Sequence, residues 1–462
     1  MQEKRAEMLG KDKISRVLIK LAIPAIIGML VSAIYNVVDT LFVSSLGTEA
    51  LGAVTVVFPF FMLVSAIGMM FGSGSASYIS RLLGQKNTKR ANQTVIVTLV
   101  SSIACSIIFT CLGLVFLEPV LAMFGASKTI MPFARDYAVI IICGSIFTMS
   151  NMALNNMLRA EGSAKISMIG MVSGAVLNIA LDPILIFMFN MGVRGAALAT
   201  VISQAVTTVI LLYYYLSKKS YLKLSLGNFT FSREIYSEIF KIGIPTLLRQ
   251  GLASLSMGMM NSAAVVYGDA AVAAVGVTNR VIMVAFYVLF GFSQGFQPLA
   301  GYNFGAKKYD RVQKTVKIAV QWSTIYCLII SGLIFIAAPA IVSAFSNKPE
   351  VINTGVKMLR YYSVVLPTFG FTIMYNTLFM AFGRAKSALI LSTARQGIFL
   401  IPAIIILPKI FNLEGVLMSQ PVAAALSFCL TAYMASRIQK ELKELVNSQN
   451  NEKQLQLSPV NA

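Results

Sequence analysis

The chain has 462 residues and a formal net charge of +20; 57% of its residues are hydrophobic and only 12% are charged. Soluble proteins average about 25% charged residues, so this composition excludes an ordinary soluble domain and predicts a protein whose solvent is the lipid bilayer. The sequence holds no His, which excludes His-based catalysis and His-bound metals, and its five Cys lie in apolar runs without metal-site spacing, which favours small buried hydrophobic residues.

Twelve apolar runs of about 20 residues or more predict twelve membrane-spanning helices. In chain order they cover residues 15–44, 50–80, 92–117, 131–158, 166–191, 195–217, 236–266, 271–301, 314–344, 352–380, 387–410 and 414–437. The charged segment from Met1 to Lys20 lacks the apolar core and the cleavage site of a signal peptide, so we expect a retained cytoplasmic segment. The polar tail after Arg437 is expected to lack regular structure.

The basic residues divide unevenly between the two ends of these helices. With twelve crossings, 28 of the 38 Lys and Arg fall on the side of both termini, 7 fall on the other side and 3 lie within spans. Because Lys and Arg concentrate in cytoplasmic loops, both termini are predicted to be cytoplasmic. We therefore expect a multi-pass protein of a bacterial cytoplasmic membrane, and the positive charge reflects topology rather than nucleic-acid binding.

The sequence repeats itself at an offset of 221 residues. Lys20–Pro24 (KLAIP) resembles Lys241–Pro245 (KIGIP), and Arg159–Lys165 (RAEGSAK) corresponds to Met380–Lys386 (MAFGRAK). Each repeat holds six predicted spans, so the two repeats share one orientation, as in transporters with parallel repeats. The predicted fold is an all-α membrane protein with twelve transmembrane helices in two pseudo-symmetric six-helix lobes around a central cavity.

The predicted domains follow from this repeat. The N-terminal lobe occupies residues 1–217 with spans 1–6, and the C-terminal lobe occupies residues 236–437 with spans 7–12. Residues 218–235 are predicted to form a cytoplasmic linker between the lobes, and residues 438–462 a polar cytoplasmic tail. We expect a monomer surrounded by membrane lipids.

The fifth span contains the stretch Asn178–Pro183, whose Asp182 carboxylate would lie in hydrocarbon at a cost of about 2.5 kcal/mol or more. Asp39 is the other acidic residue well inside a span. Counting 1.5 Å per residue from the predicted outer ends places Asp39, Asp182 and Thr200 in one layer, roughly 8–14 Å deep. Asn178 lies one turn deeper on the helix face of Asp182. These four residues are predicted to converge.

Two carboxylates with amide and hydroxyl oxygens suit a hard cation such as Na⁺, and a carboxylate in a membrane can instead carry H⁺. In the second repeat the positions of Asp39 and Asp182 hold Met260 and Ala403, so a coupling-cation site is predicted in the N-terminal lobe alone. Structural alternatives remain open for all four residues. Asp182 could be a capped carboxylate beside Pro183, and Asp39 could be an interfacial residue. Asn178 could serve interhelical hydrogen bonding, and Thr200 could serve close packing.

Five further polar residues in spans have more than one interpretation. Tyr35 and Asn36, one turn from Asp39, line the cavity or lie at the membrane interface. Arg280 is a candidate for the cavity wall or for contact with a carboxylate. The other two are Arg249 and Arg395, whose guanidinium groups are expected to extend towards the cytoplasm.

No enzyme motif accompanies these residues. The sequence contains no HExxH zinc motif, no Walker A phosphate loop and no GxSxG nucleophile, so neither an enzyme nor a bound cofactor is predicted. Without an ATP site, the energy for active transport would come from an ion gradient.

Several segments resemble one transporter family. They are Tyr35–Gly47 (YNVVDTLFVSSLG), Arg159–Phe187, Gly192–Ser203 (GVRGAALATVIS) and Thr393–Pro402 (TARQGIFLIP). The chain is similar, over nearly all of its length, to the multidrug and toxic compound extrusion (MATE) transporters, and most closely resembles their DinF subfamily and its MepA-like branch.

The resemblance implies cation-coupled antiport that exports lipophilic, often cationic, organic compounds such as drugs and dyes by alternating access. It also implies that the cation site of such transporters falls on Asp39, Asn178, Asp182 and Thr200. The sequence leaves Na⁺ and H⁺ open as the coupling ion. The alternative function is a flippase for lipid-linked precursors, but only three basic residues lie within spans, too few for a cavity that receives anionic headgroups.

Overall fold

The computed structural model describes residues 8–217 and 219–457, which form α-helices joined by short connections. Residues 1–7, 218 and 458–462, which belong to the predicted N-terminal segment, linker and tail, lie outside the described residues. Helices dominate because a chain in lipid must satisfy every backbone N–H and C=O internally. Nine of the described helices are long and apolar enough to cross a membrane, or ten if one bent pair counts as a single span.

The first half of the chain supplies six spans. They are α1 (Ile14–Ser44), α2 (Thr48–Gly84), α3 (Thr88–Val115), α4 (Met131–Cys143 and Ser145–Ala160), α5 (Ala164–Pro183, continued by the π-helix Ile184–Met188) and α6 (Gly192–Leu216). A short helix, Leu117–Met123, precedes α4. The two parts of α4 meet at Gly144 at an angle of 46°, so α4 is the bent pair that crosses once.

The second half supplies six more. They are α7 (Arg233–Val265), α8 (Asp269–Gly305), α9 (Tyr309–Ser343), α10 (Pro349–Ala381), α11 (residues 385–411) and α12 (residues 413–457). Within α11, Ala394–Phe399 is π-helical. The connection between α6 and α7 contains a 3₁₀ turn, Leu226–Asn228.

The boundary between α11 and α12 is a chain reversal at Asn412. Asn412 has non-helical backbone angles (φ 52°, ψ −133°). The Ser419 hydroxyl donates to the carbonyl of Ala403 at 3.3 Å, whereas a straight helix would separate these residues by about 24 Å. The long helical run after Ala385 therefore holds two crossings. Together with α7, which is as long as its neighbours but less apolar, this gives the predicted number of twelve.

The backbone itself repeats between the two halves. Residues with positive φ angles recur at the offset of 221 residues seen in the sequence: Gly47 and Gly268, Lys86 and Lys307, Gly162 and Gly383. Each of these residues lies in a connection between two spans, where the chain needs a left-handed or related conformation to reverse. The two six-helix lobes are thus built alike, which confirms the predicted pseudo-symmetric fold.

The lobes touch most closely at the basic end, which we define by the turns after α2 and α8 (residues 85–87 and 306–308). A Cβ atom on Gly74 of α2 would lie 2.1 Å from the carbonyl oxygen of Ile239 on α7. One on Gly84 would lie 2.0 Å from the carbonyl oxygen of Tyr302 on α8. Real Cβ atoms do not approach so closely, so only glycine permits these backbone-to-backbone contacts.

Towards the far end, defined by the turns at residues 45–47 and 266–268, the lobes diverge. The Ser73 hydroxyl of α2 donates to the Thr246 hydroxyl of α7 at 2.9 Å, well towards the basic end of both helices. One turn further along α7, Gly251 has no atom within 4 Å of an added Cβ. Leu255 on α7 and Val37 on α1 are 54% and 61% exposed. Because the close backbone contacts between the lobes lie at the basic end and these far-end positions are uncovered, we infer that a cleft between the lobes opens at the far end.

A short segment before α1 reinforces the closed basic end. The carbonyl of Leu9 accepts a hydrogen bond from Asn303 Nδ2 at 3.1 Å, and that of Gly10 accepts one from Lys308 Nζ at 2.9 Å. Leu9 itself is fully buried and also lies beside Gly162 in the turn between α4 and α5. This segment therefore contacts both lobes at once.

The expectation that the tail lacks regular structure is wrong within the described residues. The helix α12 continues without interruption to Leu457. Ile438 and Leu442, four residues apart on one face, are each 2% exposed, and Glu441 forms an ion pair with Arg384. Apolar residues four positions apart give this polar stretch one apolar face, and this face is sufficient to hold the helix against the C-terminal lobe. The boundaries of the predicted domains stay a prediction.

We expect the substitution Gly74→Ala to lower the melting temperature of the purified protein in detergent by several degrees. Its methyl group would overlap the Ile239 carbonyl oxygen, and overpacking of this kind costs about 1–3 kcal/mol. Gly251→Ala is the matched control, because that position is open and Ala favours a helix. Equal melting temperatures for the two variants would contradict the close interlobe contact.

Candidate functional site

The polar stretch of α5 lies where this helix changes from α-helical to π-helical geometry. Asn178 and Asp182 are one turn apart on the α-helical part, which ends at Pro183, and the π-helix Ile184–Met188 follows directly. Proline lacks an N–H and π-helical turns are frequent at functional sites. Asp182 is 0% exposed and Asn178 is 2% exposed, so both side chains point into the lobe. The break in the helix therefore coincides with its buried polar groups.

Thr200 of α6 joins these two residues across the helix pair. Asn178 Nδ2 lies 3.4 Å from Asp182 Oδ1 and 3.5 Å from Thr200 Oγ1. Ordinary N–H···O hydrogen bonds are about 2.9–3.0 Å long, so the three side chains are neighbours held by loose contacts. The structure thus brings together three of the four residues that the sequence predicts to converge.

The fourth residue, Asp39, reaches the same region from α1. Helix α1 packs along α5, and Asp39 lies within electrostatic range of Asp182, with Tyr35 one turn before it on α1. Asn36 is exposed, and its side-chain amide donates to the backbone carbonyl of Ser32 at 2.6 Å. Tyr35 therefore belongs to the surroundings of the two carboxylates, whereas Asn36 is satisfied by its own helix.

Three oxygen atoms of this group are buried without a hydrogen-bond partner among the described residues: Asp39 Oδ1, Asp182 Oδ2 and Asn178 Oδ1. An unsatisfied buried polar atom costs about 1–3 kcal/mol, and more if it is charged. The unpaired atoms are all acceptors, two from carboxylates and one from an amide, with the Thr200 hydroxyl beside them. A cation with a preference for oxygen ligands, or protons on the carboxylates, fits this set.

Two tyrosines near the carboxylates are not among the site residues predicted from the sequence. The buried Tyr137 of α4 experiences the charges of both Asp39 and Asp182. Tyr287 of α8 interacts with Tyr35, so the C-terminal lobe also reaches this region. Tyr137 follows Arg135 and Asp136 near the predicted start of its span, which suggests an interfacial residue. A depth count like that used for Thr200 would have placed it in the same layer as the acids.

The C-terminal lobe does not repeat the site. Met260 and Ala403, which correspond to the two acids, are 0% and 8% exposed, and Met260 belongs to an apolar cluster of that lobe. Arg280 of α8 is exposed and makes no hydrogen bond or ion pair with another described residue. The role of Arg280 as a cavity residue stays a prediction, as do the roles of the cation-site residues.

Comparison with known proteins adds independent observations. The family model described as MatE matches residues 24–184 and again residues 245–406, so its two matches begin one repeat offset apart. The multidrug export protein MepA of Staphylococcus haemolyticus (strain JCSC1435) is 28% identical over 443 residues, which cover 96% of this chain and 98% of that protein.

Two solved structures are similar over nearly the whole chain. One is described as the outward-facing conformation of a multidrug resistance MATE family transporter of the MOP superfamily; its TM-score is 0.90 at 27% identity, over 95% of this chain and 98% of that one. The other is a MOP superfamily transporter from Pyrococcus furiosus, described by a binding pocket of reverse polarity that suggests a different function. Its TM-score is 0.89 at 27% identity, over 94% of this chain and 98% of that one.

We expect Asp182→Asn to raise the stability of the purified protein at alkaline pH in Na⁺-free buffer by about 1–3 kcal/mol. The substitution removes a buried charge and its repulsion with Asp39 while keeping the size of the side chain. The gain should vanish in acid, where the wild-type carboxylates are protonated. Thermal unfolding in detergent at both pH values measures the difference.

Asp136→Asn is the control, because Asp136 forms an exposed ion pair with Arg194 and its loss changes stability by about 1 kcal/mol or less, in the opposite direction. Lower stability of Asp182→Asn than of the wild type at alkaline pH would show that the carboxylate has a protein partner, contrary to the site described above.

Proposed function

The chain belongs to the multidrug and toxic compound extrusion family, and from this premise we propose that it is an antiporter that exports organic compounds in exchange for Na⁺ or H⁺ by alternating access. It is a multi-pass membrane protein and a MepA-like transporter. Its family membership supports drug efflux as its activity. The proposed substrates are lipophilic and often cationic drugs and dyes. The proposed coupling ion is Na⁺ or H⁺.

The observation that carries the proposed coupling is the buried pair of carboxylates with unpaired oxygens. Asp39 and Asp182 each leave one oxygen without a hydrogen-bond partner among the described residues, and their charges repel each other. Na⁺ or H⁺ would remove both costs, so the site binds such a cation more tightly than an exposed carboxylate would. Asn178 and Thr200 supply the remaining oxygen ligands in this proposal.

Alternating access is supported by the way in which the lobes meet. The lobes are in backbone contact at the basic end and separated at the far end, so this conformation gives a ligand a route to one side only. Because the two lobes have the same fold, a rocking motion would produce the opposite conformation. Cation binding drives such a change only to the extent that the two conformations differ in cation affinity.

The proposed orientation places the basic end in the cytoplasm, so the cleft at the far end would release substrate outward. This orientation rests on the excess of Lys and Arg in the basic loops. A substrate would enter from the cytoplasm or from the inner leaflet of a bacterial cell membrane when the lobes separate at the basic end.

In proteoliposomes with an imposed Na⁺ gradient or pH gradient, each applied alone, we expect one of the two gradients to drive efflux of a cationic dye. Asp182→Asn should reduce this efflux to the rate of protein-free liposomes, because the amide cannot bind or release the coupling charge. Asp136→Asn should transport like the wild type, since its carboxylate is exposed and ion-paired at the surface. Gradient-driven efflux by Asp182→Asn would refute the site assignment.

The ion pairs at the basic end give a second test. Glu238 of α7 accepts hydrogen bonds from Arg81 Nη2 of α2 at 2.7 Å and from Lys241 Nζ at 2.6 Å, and it is 15% exposed. We expect Glu238→Gln to weaken the closed interface by about 1 kcal/mol and to increase opening at this end roughly fivefold. The rate of maleimide labelling at a Thr246→Cys reporter, in a cysteine-free background, measures this opening.

Glu414→Gln is the control for this measurement. Glu414 pairs with Lys357 near the far end of the C-terminal lobe, at 2.7 Å, so its loss should leave the labelling rate unchanged. If Glu238→Gln and Glu414→Gln label equally fast, the Arg81–Glu238 pair does not hold the basic end closed.

A further inference from the structure

Two arginines of the C-terminal lobe lie deep within spans without a carboxylate beside them. Arg249 is at the middle of α7, and Arg395 is in the π-helical part of α11. Among the described residues, neither guanidinium group takes part in an ion pair. Charged side chains at such depth are expensive and normally pair with one another or with an opposite charge. Their placement therefore needs a physical explanation.

Arg395 does not extend towards the cytoplasm as the sequence suggested. Its guanidinium carbon lies 4.9 Å from the ring centre of Phe286 on α8 and 4.9 Å from that of Phe369 on α10. Counted along their helices, Phe286 is about 28 Å and Phe369 about 18 Å from the basic end, whereas the backbone of Arg395 is about 15 Å from it. The side chain therefore points deeper into the lobe, and the two aromatic faces compensate part of its desolvation.

Arg249 lies next to this arrangement. Its guanidinium carbon is 5.4 Å from the ring centre of Phe290, which stacks on Phe286 with a centroid distance of 5.9 Å. Since Arg395 lies over Phe286, the two positive charges lie over adjacent, stacked rings. Two guanidinium groups are thus laid on neighbouring rings of α8 with like charges side by side, an arrangement that an anion between them would stabilise.

The position of this pair places it at the floor of the interlobe cleft. Arg249 is less than one turn beyond Thr246, which contacts Ser73 of the other lobe, and just before Gly251, which faces open space. The π-helical turn that carries Arg395 is fixed to α7, because the Ser256 hydroxyl donates to the carbonyl of Gln396 at 2.5 Å. The two arginines therefore occupy one defined place where the closed part of the interface ends.

The sequence repeat shows that this pair is specific to one lobe. At the offset of 221 residues, Arg249 corresponds to Gly28 and Arg395 corresponds to Gly174. A Cβ atom on Gly174 would lie 2.1 Å from Thr207 Oγ1, so the N-terminal lobe is closely packed where the C-terminal lobe carries a cation. Well inside the spans, the first lobe thus carries acids and the second carries arginines.

We propose that Arg249 and Arg395, with the rings of Phe286, Phe290 and Phe369, form a subsite for the anionic group of a transported amphiphile. Two guanidinium groups offer forked N–H donors that match a carboxylate or a similar anion, and the aromatic rings accept an adjoining apolar body. The substrate class of the proposed antiporter then includes organic anions and zwitterions with a carboxylate, in addition to lipophilic cations. This inference rests on the proposed function of drug export.

This subsite is separate from the coupling-cation site. Along the helices, Asp39 is about 8 Å from the far end of α1, and Arg249 is about 24 Å from the far end of α7. A substrate anion on the arginines would therefore leave the acids free for Na⁺ or H⁺. Among the described residues, no ion pair joins either arginine to these carboxylates, so the two guanidinium charges are left for a ligand.

The experiment compares a rhodamine dye that carries a free carboxylate with its methyl ester, which differs only in that group. Fluorescence anisotropy gives the Kd of each dye for the purified full-length protein in detergent. We expect Arg249→Gln and Arg395→Gln each to lower the ratio of the ester's Kd to the carboxylate's Kd roughly tenfold, the loss typical for a hydrogen bond to a charged group. The ratio cancels the effect of any general loss of folded protein, because such a loss would change the apparent Kd of both dyes equally.

Arg360→Gln is the matched control. Arg360 also lies over a phenylalanine, at 5.4 Å from the ring centre of Phe335, but both residues are exposed, and its loss should leave the ratio unchanged. An equal drop in Arg360→Gln, or an unchanged ratio in both Arg249→Gln and Arg395→Gln, would overturn the proposal. Partial recovery of the ratio in Arg249→Lys would support it, because the charge is kept and the fork is lost.

A lipid phosphate is the other source of an anion at this place. The same ratio measured in nanodiscs of phosphatidylcholine and of phosphatidylglycerol separates the two. If the anionic lipid weakens binding of the carboxylate dye to the wild type but not to Arg249→Gln, the site belongs to a lipid headgroup and the substrate assignment is wrong. Equal binding in both lipids supports the substrate.

The outcome is independent of the test of the proposed function. The dye ratio is measured in detergent, where no gradient exists, so a failure of gradient-driven efflux does not alter it. If no gradient drives efflux but the ratio depends on the arginines, the antiport proposal fails and the subsite stands. If a gradient drives efflux and the Kd ratio is unchanged in the arginine variants, only the subsite is refuted.

Discussion

The carboxylate of Asp182 is fully buried in a helix that breaks into a π-helix two residues later, and one of its oxygens has no partner among the described residues. Water is absent from a bilayer interior, so a carboxylate there costs about 2.5 kcal/mol or more. The fold accepts this cost instead of pairing Asp182 with an arginine or lysine. An acid kept unpaired by its surroundings retains its affinity for a mobile cation, which a permanent ion pair would abolish. The proposed coupling therefore depends on this unsatisfied group.

The repeated architecture makes the distribution of charge informative. Equivalent positions hold an acid in one lobe and an apolar residue in the other, as with Asp39 and Met260, or an arginine and a glycine, as with Arg249 and Gly28. Because both lobes share one backbone, these differences do not follow from the demands of folding. They place opposite charges at different depths, with the acids inside the N-terminal lobe and the arginines in the C-terminal lobe. In the proposed mechanism, a symmetric fold thereby offers separate places for a cation and for an anionic group.

Helix positions and the convergence of Asn178, Asp182 and Thr200 could be predicted from the sequence, because the rise of a helix is constant and depth can be counted from its ends. Features that depart from regular helices could not. Helix α4 bends by 46° at Gly144, and Arg395, which points deeper than the sequence suggested, lies in a π-helical turn. Hydrophobic periodicity carries no signal for either irregularity. The helical tail was missed because its few apolar residues are outnumbered by polar ones.

Helix α1 connects the proposed cation site to the contact between the lobes. It carries Asp39 near the far end, and a Cβ atom on Gly295 of α8 would lie 2.6 Å from the backbone nitrogen of Ala22 near its basic end. Interfaces packed this closely do not deform gradually; they are either formed or separated. A shift of α1 that changes the distance of Asp39 from Asp182 would therefore also strain the contact at Ala22. Cation binding and closure of the basic end would then be linked through α1 itself, without a relay of side chains between them.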